Sequence, residues 1–153
     1  MNIAVIGGSK VSRKNYQIAY ELGKCIAQEG WVLLSGGRTG VMEASCKGAR
    51  ENGGVTIGIL PSYDGKDANT YVGVKIPTGI GYARNVLVVR AADIVVAISG
   101  KYGTLSEIAF AFNEGKTVLG INTWNIKGVR KVKNVKTAVQ YIKRTFCKTN
   151  TVR

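Results

Sequence analysis

Three glycine-bearing turns carry the residues best suited to chemistry in this chain: Gly7-Gly8-Ser9, Ser35-Gly36-Gly37-Arg38-Thr39-Gly40, and Gly100-Lys101-Tyr102-Gly103-Thr104-Leu105-Ser106-Glu107. Glycine lets a backbone come close to a ligand, and a helix start offers free N–H groups and a dipole that favours an anion. The second turn therefore reads either as a phosphate cradle or as a plain strand-to-helix turn. The third adds a carboxylate. Glu107 either faces a phosphosugar and a developing oxocarbenium ion, or closes a capping box in which Thr104 is the N-cap and Glu107 reaches back from N3. A further segment, Gly79-Ile80-Gly81-Tyr82-Ala83-Arg84-Asn85, supplies Arg84. Its guanidinium can clamp a phosphate or carboxylate through two parallel hydrogen bonds, or form a structural pair with Asp93 or Glu107.

Other chemistries are closed off. The chain has no histidine, which excludes a histidine general base and a Ser-His-Asp triad. Three scattered cysteines, Cys25, Cys46 and Cys147, make no zinc site and read as buried or inert thiols, so no metal is expected. GxGxxG and GxxxxGK[ST] are both absent, and Gly36-Gly37 stands where a ribose-binding acid would end the second strand. NAD- and ATP-driven chemistry lose support accordingly.

The elements that must position these turns follow from periodicity. Short β-branched runs at 3–6, 31–34, 55–60, 93–98 and 117–121 predict strands, with a short additional one at 72–76. Stretches with apolar residues at helical spacing predict helices over 15–29, 41–51, 80–92, 104–113 and 135–146. Strands alternating with helices imply right-handed crossovers and a parallel sheet of about six to seven strands, doubly wound with helices on both faces. In such sheets ligands sit outside the carboxyl ends of the strands, where the strand order reverses, and three of those ends here carry glycine.

With 153 residues, 45% of them hydrophobic and 20% charged, the chain reads as a single globular domain over 1–153. No apolar run reaches the roughly 18 residues of a membrane span. The longest, Val86 to Ile98, is broken by Arg90 and Asp93. The opening Met1 to Ile6 reads as a first strand and not a signal peptide, so a cytoplasmic protein without membrane association is expected. The net charge of +13 is uneven: all nine acids lie in 1–114 beside twelve basic residues, whereas 115–153 carry ten basic residues and no acid. No zinc finger, RRM signature or helix-turn-helix accompanies that segment, so it reads first as a solvated face or one that gathers anionic ligands, and only secondarily as a nucleic-acid surface.

Taken together the motifs resemble a known superfamily, that of the LOG-type phosphoribohydrolases (once misnamed lysine decarboxylases) and the molybdenum-cofactor carrier proteins. Ser35 to Ala44 is similar to its GGxxGxMxA turn and helix, and Gly100 to Glu107 to its GGxGTxxE turn; the likeness runs over about 1–122. It implies a Rossmann-like domain that binds a nucleoside monophosphate or a pterin-nucleotide-like ligand, as a dimer or tetramer. In the phosphoribohydrolase branch an arginine and a glutamate act in catalysis, and Arg84 and Glu107 match those positions. Three departures separate this chain from that branch: Tyr82-Ala83-Arg84-Asn85 lacks the histidine and lysine of HxRK, Lys101 replaces the second glycine, and Ser99 replaces the usual proline. The resemblance thus ranks binding of molybdenum cofactor or a nucleotide, with no other cofactor required, above hydrolysis. The expected ligand-binding residues are Gly8, Ser9, Gly36, Gly37, Arg38, Thr39, Gly40, Arg84, Asn85, Gly100, Lys101, Tyr102, Gly103, Thr104 and Glu107.

Overall fold

A strand that is apolar on both faces must be covered on both, and consecutive residues of β1 (Asn2–Gly7) divide in this way. Ile3 and Val5 pack into one buried cluster, and Ala4 and Ile6 into a second on the other side of the sheet. The computed structural model describes residues 1–149, with side chains described as far as Phe146; the side chain of Cys147 and the last four residues of the expected domain lie outside that range. After β1 come α1 (Arg13–Gln28), β2 (Val32–Ser35), α2 (Val41–Glu51), β3 (Val55–Leu60) and β4 (Val74–Pro77). They are followed by α3 (Asn85–Arg90), β5 (Ile94–Ile98), α4 (Tyr102–Asn113), β6 (Thr117–Ile121), β7 (Arg130–Lys131) and α5 (Val135–Thr149). Among the described residues no helix is long and apolar enough to cross a membrane.

The seven strands form one sheet in the order β4-β3-β2-β1-β5-β6-β7, with every neighbouring pair parallel. The chain winds outward from β1 through β2, β3 and β4, then returns to β5 on the other side of β1. The strand order reverses between β1 and β5, and the crevice outside their carboxyl ends is where a doubly wound Rossmann-like sheet binds ligands. One core joins the sheet to α1, α2 and α5 through residues such as Leu22, Ile26, Ala49 and Ile142. The other joins it to α3 and α4 through Val88, Val89, Ile108 and Ala111.

The structure departs from the sequence reading where local backbone chemistry overrides periodicity. The helix expected over 80–92 is shorter, because Gly79 and Gly81 hold φ of 68° and 57°, outside the range of a regular α-helix. Gly81–Arg84 forms a 3-10 turn instead, and α3 begins at Asn85. α1 starts two residues early, capped by the Ser12 hydroxyl, which accepts from the Asn15 N–H at 3.2 Å. The expected strand over 72–76 is displaced to Val74–Pro77: Val72 is buried against Gly58, outside the strand. β7 was not foreseen, since two exposed basic residues carry no apolar pattern.

α1 and α2 cross so closely that a methyl group has no room at the contact. A Cβ on Gly23 would stand 1.9 Å from the Ser45 carbonyl oxygen, and one on Gly48 would stand 2.0 Å from that of Tyr20. Alanine is the better helix former by about 1 kcal/mol, yet Gly48→Ala is expected to lower stability by ~1–3 kcal/mol through overpacking. Urea denaturation checks this; an unchanged or higher midpoint contradicts the crossing geometry.

Candidate functional site

A cleft of about 210 Å³ opens at the β1/β5 crevice. Its walls come from the loop after β1 (Gly7, Gly8, Ser9, Lys10), from Arg38 and Met42 around the start of α2, and from Lys101, Gly103, Thr104 and Glu107 at the start of α4. Tyr82, Arg84 and Asn85, of the 3-10 turn and the start of α3, complete it.

Arg84 is the floor. It is 6% exposed, a rare setting for an arginine. One terminal nitrogen donates to the Asn85 side-chain oxygen and the other to the Gly36 carbonyl at 3.3 Å, while the buried Nε has no partner. Burial pushes its pKa down and the nearby Glu107 opposes that shift. Gly36 is what admits the guanidinium, since a Cβ there would meet it at 2.6 Å. Asn85 in turn donates to the Ser106 hydroxyl at 3.0 Å, and Ser106 donates to the Gly103 carbonyl at 2.7 Å. This relay ties the arginine to the first turn of α4.

Glu107 shares the cleft with Arg84 but forms no ion pair with it within 4.0 Å; none of the four ion pairs among the described residues joins them. Burial pushes the Glu107 carboxyl up to about 8, against the smaller downward pull of the Arg84 charge. At neutral pH it is mostly protonated and gives the buried arginine little countercharge; Arg38 repels the Arg84 charge, and Asp67 attracts it more weakly than an ionised Glu107 would. The expected capping box is absent. Lys101 occupies the N-cap of α4, and Thr104 lies within the first turn with its side chain against Gly100. The alternative pairing of Arg84 with Asp93 also fails, because Asp93 accepts from the backbone N–H of Asn2 at 2.7 Å.

The glycine turns are fastened to one another. Gly40, at φ 68°, lies so close to the first turn that a Cβ would meet the Gly8 carbonyl at 2.2 Å. That carbonyl accepts from the Val41 N–H at 3.0 Å, and Ser9 O accepts from the Thr39 hydroxyl at 3.1 Å. Asn69 clamps the second turn through its side-chain amide, which donates to Gly37 O at 3.1 Å and Arg38 O at 2.8 Å. At the third turn Ser99 adopts φ 54°. Its N–H donates to Ile121 O at 3.2 Å, and its carbonyl accepts from the Thr123 hydroxyl at 2.6 Å.

Of the expected ligand-binding residues, Gly8, Ser9, Arg38, Arg84, Asn85, Lys101, Gly103, Thr104 and Glu107 line the cleft. Gly36, Gly37, Thr39, Gly40, Gly100 and Tyr102 do not; the glycines and Thr39 shape the turns, and Tyr102 projects outward, 80% exposed. Gly7, Lys10, Met42 and Tyr82 also line the cleft and are not among the expected ligand-binding residues. Lys10 had a signal, being the basic residue next to a glycine-bearing strand end. Asn69 and Asp67, whose carboxylate lies 3.8 Å from Arg38, come from the loop before β4, where no periodicity points to a site. A larger hollow of about 880 Å³ lies between α1 and α5, lined by Ile18, Cys25, Val135 and Val139 and by lysine stems. It gathers no buried charge and shares no residue with the cleft. Burial pushes the Cys25 and Cys46 thiols up, away from reactivity.

Comparison with known proteins agrees with this architecture. The profile of the SLOG cluster4 family matches residues 1–149. An uncharacterized protein of Archaeoglobus fulgidus is 43% identical over 143 residues, covering 92% of this chain and 93% of its own. The solved structure of the molybdenum cofactor binding protein from Rippkaea orientalis superposes with a TM-score of 0.87 at 34% identity, covering 95% of each chain. A probable cytokinin riboside 5′-monophosphate phosphoribohydrolase of Oryza sativa subsp. japonica is 34% identical over 106 residues, 67% of this chain but only 47% of that protein.

Two outcomes follow from the geometry. Glu107 ionises near 4.5 in an unfolded chain and near 8 in the folded one, so the folded state holds the proton more tightly. Its favourable contribution is complete below pH 4.5, declines as pH rises, and is lost above about 8. Thermal melts of ligand-free protein should therefore show wild type losing stability relative to Glu107→Gln across that window, with equal slopes refuting the burial assignment. The second concerns Ser99: proline fixes φ near about −65° and has no N–H to give. Ser99→Pro is expected to lose ~2 kcal/mol or more, whereas Ser99→Gly is neutral or stabilising; a proline variant that melts like wild type would contradict the turn.

Proposed function

The chain belongs to the SLOG cluster4 family, and from that premise we propose that it is a carrier-type binding protein for a phosphate-bearing, nucleotide-like small molecule. The observation that carries this reading is the uncompensated guanidinium of Arg84. It is buried, it has a free Nε donor, and Glu107, the carboxyl that acts on it most, is held protonated by burial, while Asp67 attracts it more weakly. An unpaired buried charge is costly, and an anion entering the cleft supplies what is missing. Lys10, Arg38 and Lys101 line the same cleft and add attraction, while the glycine turns bring backbone close to the bound group. A monophosphate of molybdenum cofactor, the ligand of the Rippkaea orientalis protein, and that of a nucleoside 5′-monophosphate satisfy this donor set alike. As part of the same reading the chain assembles as a dimer or tetramer in the cytoplasm; light scattering on the purified protein reads the assembly state.

Hydrolysis is the second reading, favoured by Glu107. A protonated carboxyl beside a phosphosugar can give its proton to the departing base as the N-glycosidic bond breaks, and the carboxylate so formed then takes the proton that water sheds on adding at C1′. The Oryza sativa relative, a probable phosphoribohydrolase, points the same way. Binding ranks first because the Ser99 turn has a backbone conformation that the proline of the phosphoribohydrolase turn cannot adopt.

Calorimetric titration with AMP, GMP and reduced molybdenum cofactor, with chromatography of each mixture after hours, separates the readings. The expected result is binding of at least one ligand, intact on recovery, weakened about tenfold or more by Arg84→Met. Glu107 is protonated at neutral pH, so this variant leaves no stranded charge and should fold. Free adenine and ribose 5-phosphate, lost in Glu107→Gln, would instead establish the hydrolase. Binding of none of the three would sink the carrier reading.

A further inference from the structure

The cleft is too small for the whole of the ligand just described. Sites that enclose a small molecule usually measure ~300–1,000 Å³, and this one holds about 210 Å³. Its polar floor, with Arg84 and Glu107, suits a phosphate and the sugar next to it. The remainder of a nucleotide-like molecule must lie across the rim, where Tyr82 stands. Tyr82 lines the cleft and is nonetheless 77% exposed. On the β6 side, Tyr102 is 80% exposed and stands with its ring centroid 6.1 Å from that of Trp124. The Trp124 indole N–H donates to Lys101 O at 3.1 Å, which fixes that pair beside the third glycine turn.

A tyrosine has a flat apolar face and a polar tip, so one standing bare at the edge of a polar cleft can cover a flat ring while its hydroxyl stays in water. Tyr82 is also held in place. The Gly81 N–H donates to Pro61 O at 3.1 Å, the Ala83 N–H to Ile80 O at 3.2 Å, and the Tyr63 ring lies against Gly79. Resting on the binding function argued above, we propose that Tyr82 is the platform for the ligand's planar heterocycle and sets its preference for ring-bearing phosphates over bare sugar phosphates. A π-face accepts any flat ring, so the subsite discriminates planar from non-planar ligands and not one base from another.

The test compares AMP with ribose 5-phosphate by calorimetric titration against wild type, Tyr82→Phe and Tyr82→Ser, with light scattering on each. Wild type should bind AMP about tenfold or more tighter than ribose 5-phosphate. Tyr82→Ser should lose most of that preference, chiefly through weaker AMP binding, and Tyr82→Phe should keep it. Equal affinity of wild type for the two probes, or a preference that survives in Tyr82→Ser, overturns the ring platform while leaving the anion site standing. A changed oligomeric mass in Tyr82→Ser with the preference intact assigns the residue to a subunit contact and overturns it as well. Binding of neither probe by wild type overturns the ring platform together with a nucleotide-binding role for the cleft.

Discussion

A guanidinium taken out of water is the constraint around which the rest of this site is arranged. Arg84 cannot shed its proton at any ordinary pH, so burial leaves it charged and in need of oxygen atoms. The fold supplies two, from Asn85 and Gly36, and leaves Nε unmet. Each neighbour is then restricted in turn. Residue 36 must lack a side chain, Asn85 must be steadied from α4 through Ser106, and the backbone before the arginine must turn sharply enough to drop it into the floor. Glu107 could have cancelled the charge, but it is buried so deeply that neutrality costs it less than ionisation, and the arginine stays open to an external anion.

The topology explains why this arrangement sits where it does. The crevice opens between β1 and β5 because the chain winds away from β1 in one direction and returns in the other. The starts of α2 and α4 thus flank one opening, and both follow glycine turns. These turns are not independent loops. Gly8 and Ser9 accept hydrogen bonds from Val41 and Thr39, which joins the first turn to the second, and Asn69 grips the second from outside. A cradle braced in this way is organised before any ligand arrives, which lowers the ordering cost of binding. The net charge of +13 adds a long-range pull on anions, although most of the acid-free basic stretch belongs to elements beyond the cleft.

The parallel α/β sheet was legible in the sequence because its strands and helices have distinct periods and its glycines punctuate them. The crevice was legible for the same reason: three strand ends carrying glycine had to meet at one edge of the sheet. What periodicity could not reveal was backbone sign. Nothing in the apolar run after Ile80 announces that Gly79 and Gly81 hold positive φ, and this alone converts one expected helix into a 3-10 turn and a short α3. The spacing of Thr104 and Glu107 was equally ambiguous, since a capping box and an inward-facing carboxylate share it. Burial decides between them, and burial depends on α3 packing across α4, a long-range fact. Asn69 and Asp67 act from a loop whose composition is ordinary; only the folded chain brings them to Arg38.

Ser99 bears on which branch of chemistry the fold is built for. A residue at φ 54° directs the chain into the α4 turn along a path that proline cannot follow. The difference from a proline-bearing turn is therefore one of backbone route and not of a side chain alone. Lys101, at the N-cap of α4, lies on that rerouted segment and puts a cation where the phosphoribohydrolase motif has a glycine. A catalytic site for glycosidic cleavage needs its carboxyl held at a fixed distance from C1′, whereas a binding site needs charge and donors converging on a phosphate. A cation on this segment serves the second requirement. Of the three departures from the hydrolase motif, it is Lys101 that adds a positive charge to the crevice, while Ser99 sets the backbone that leads to it.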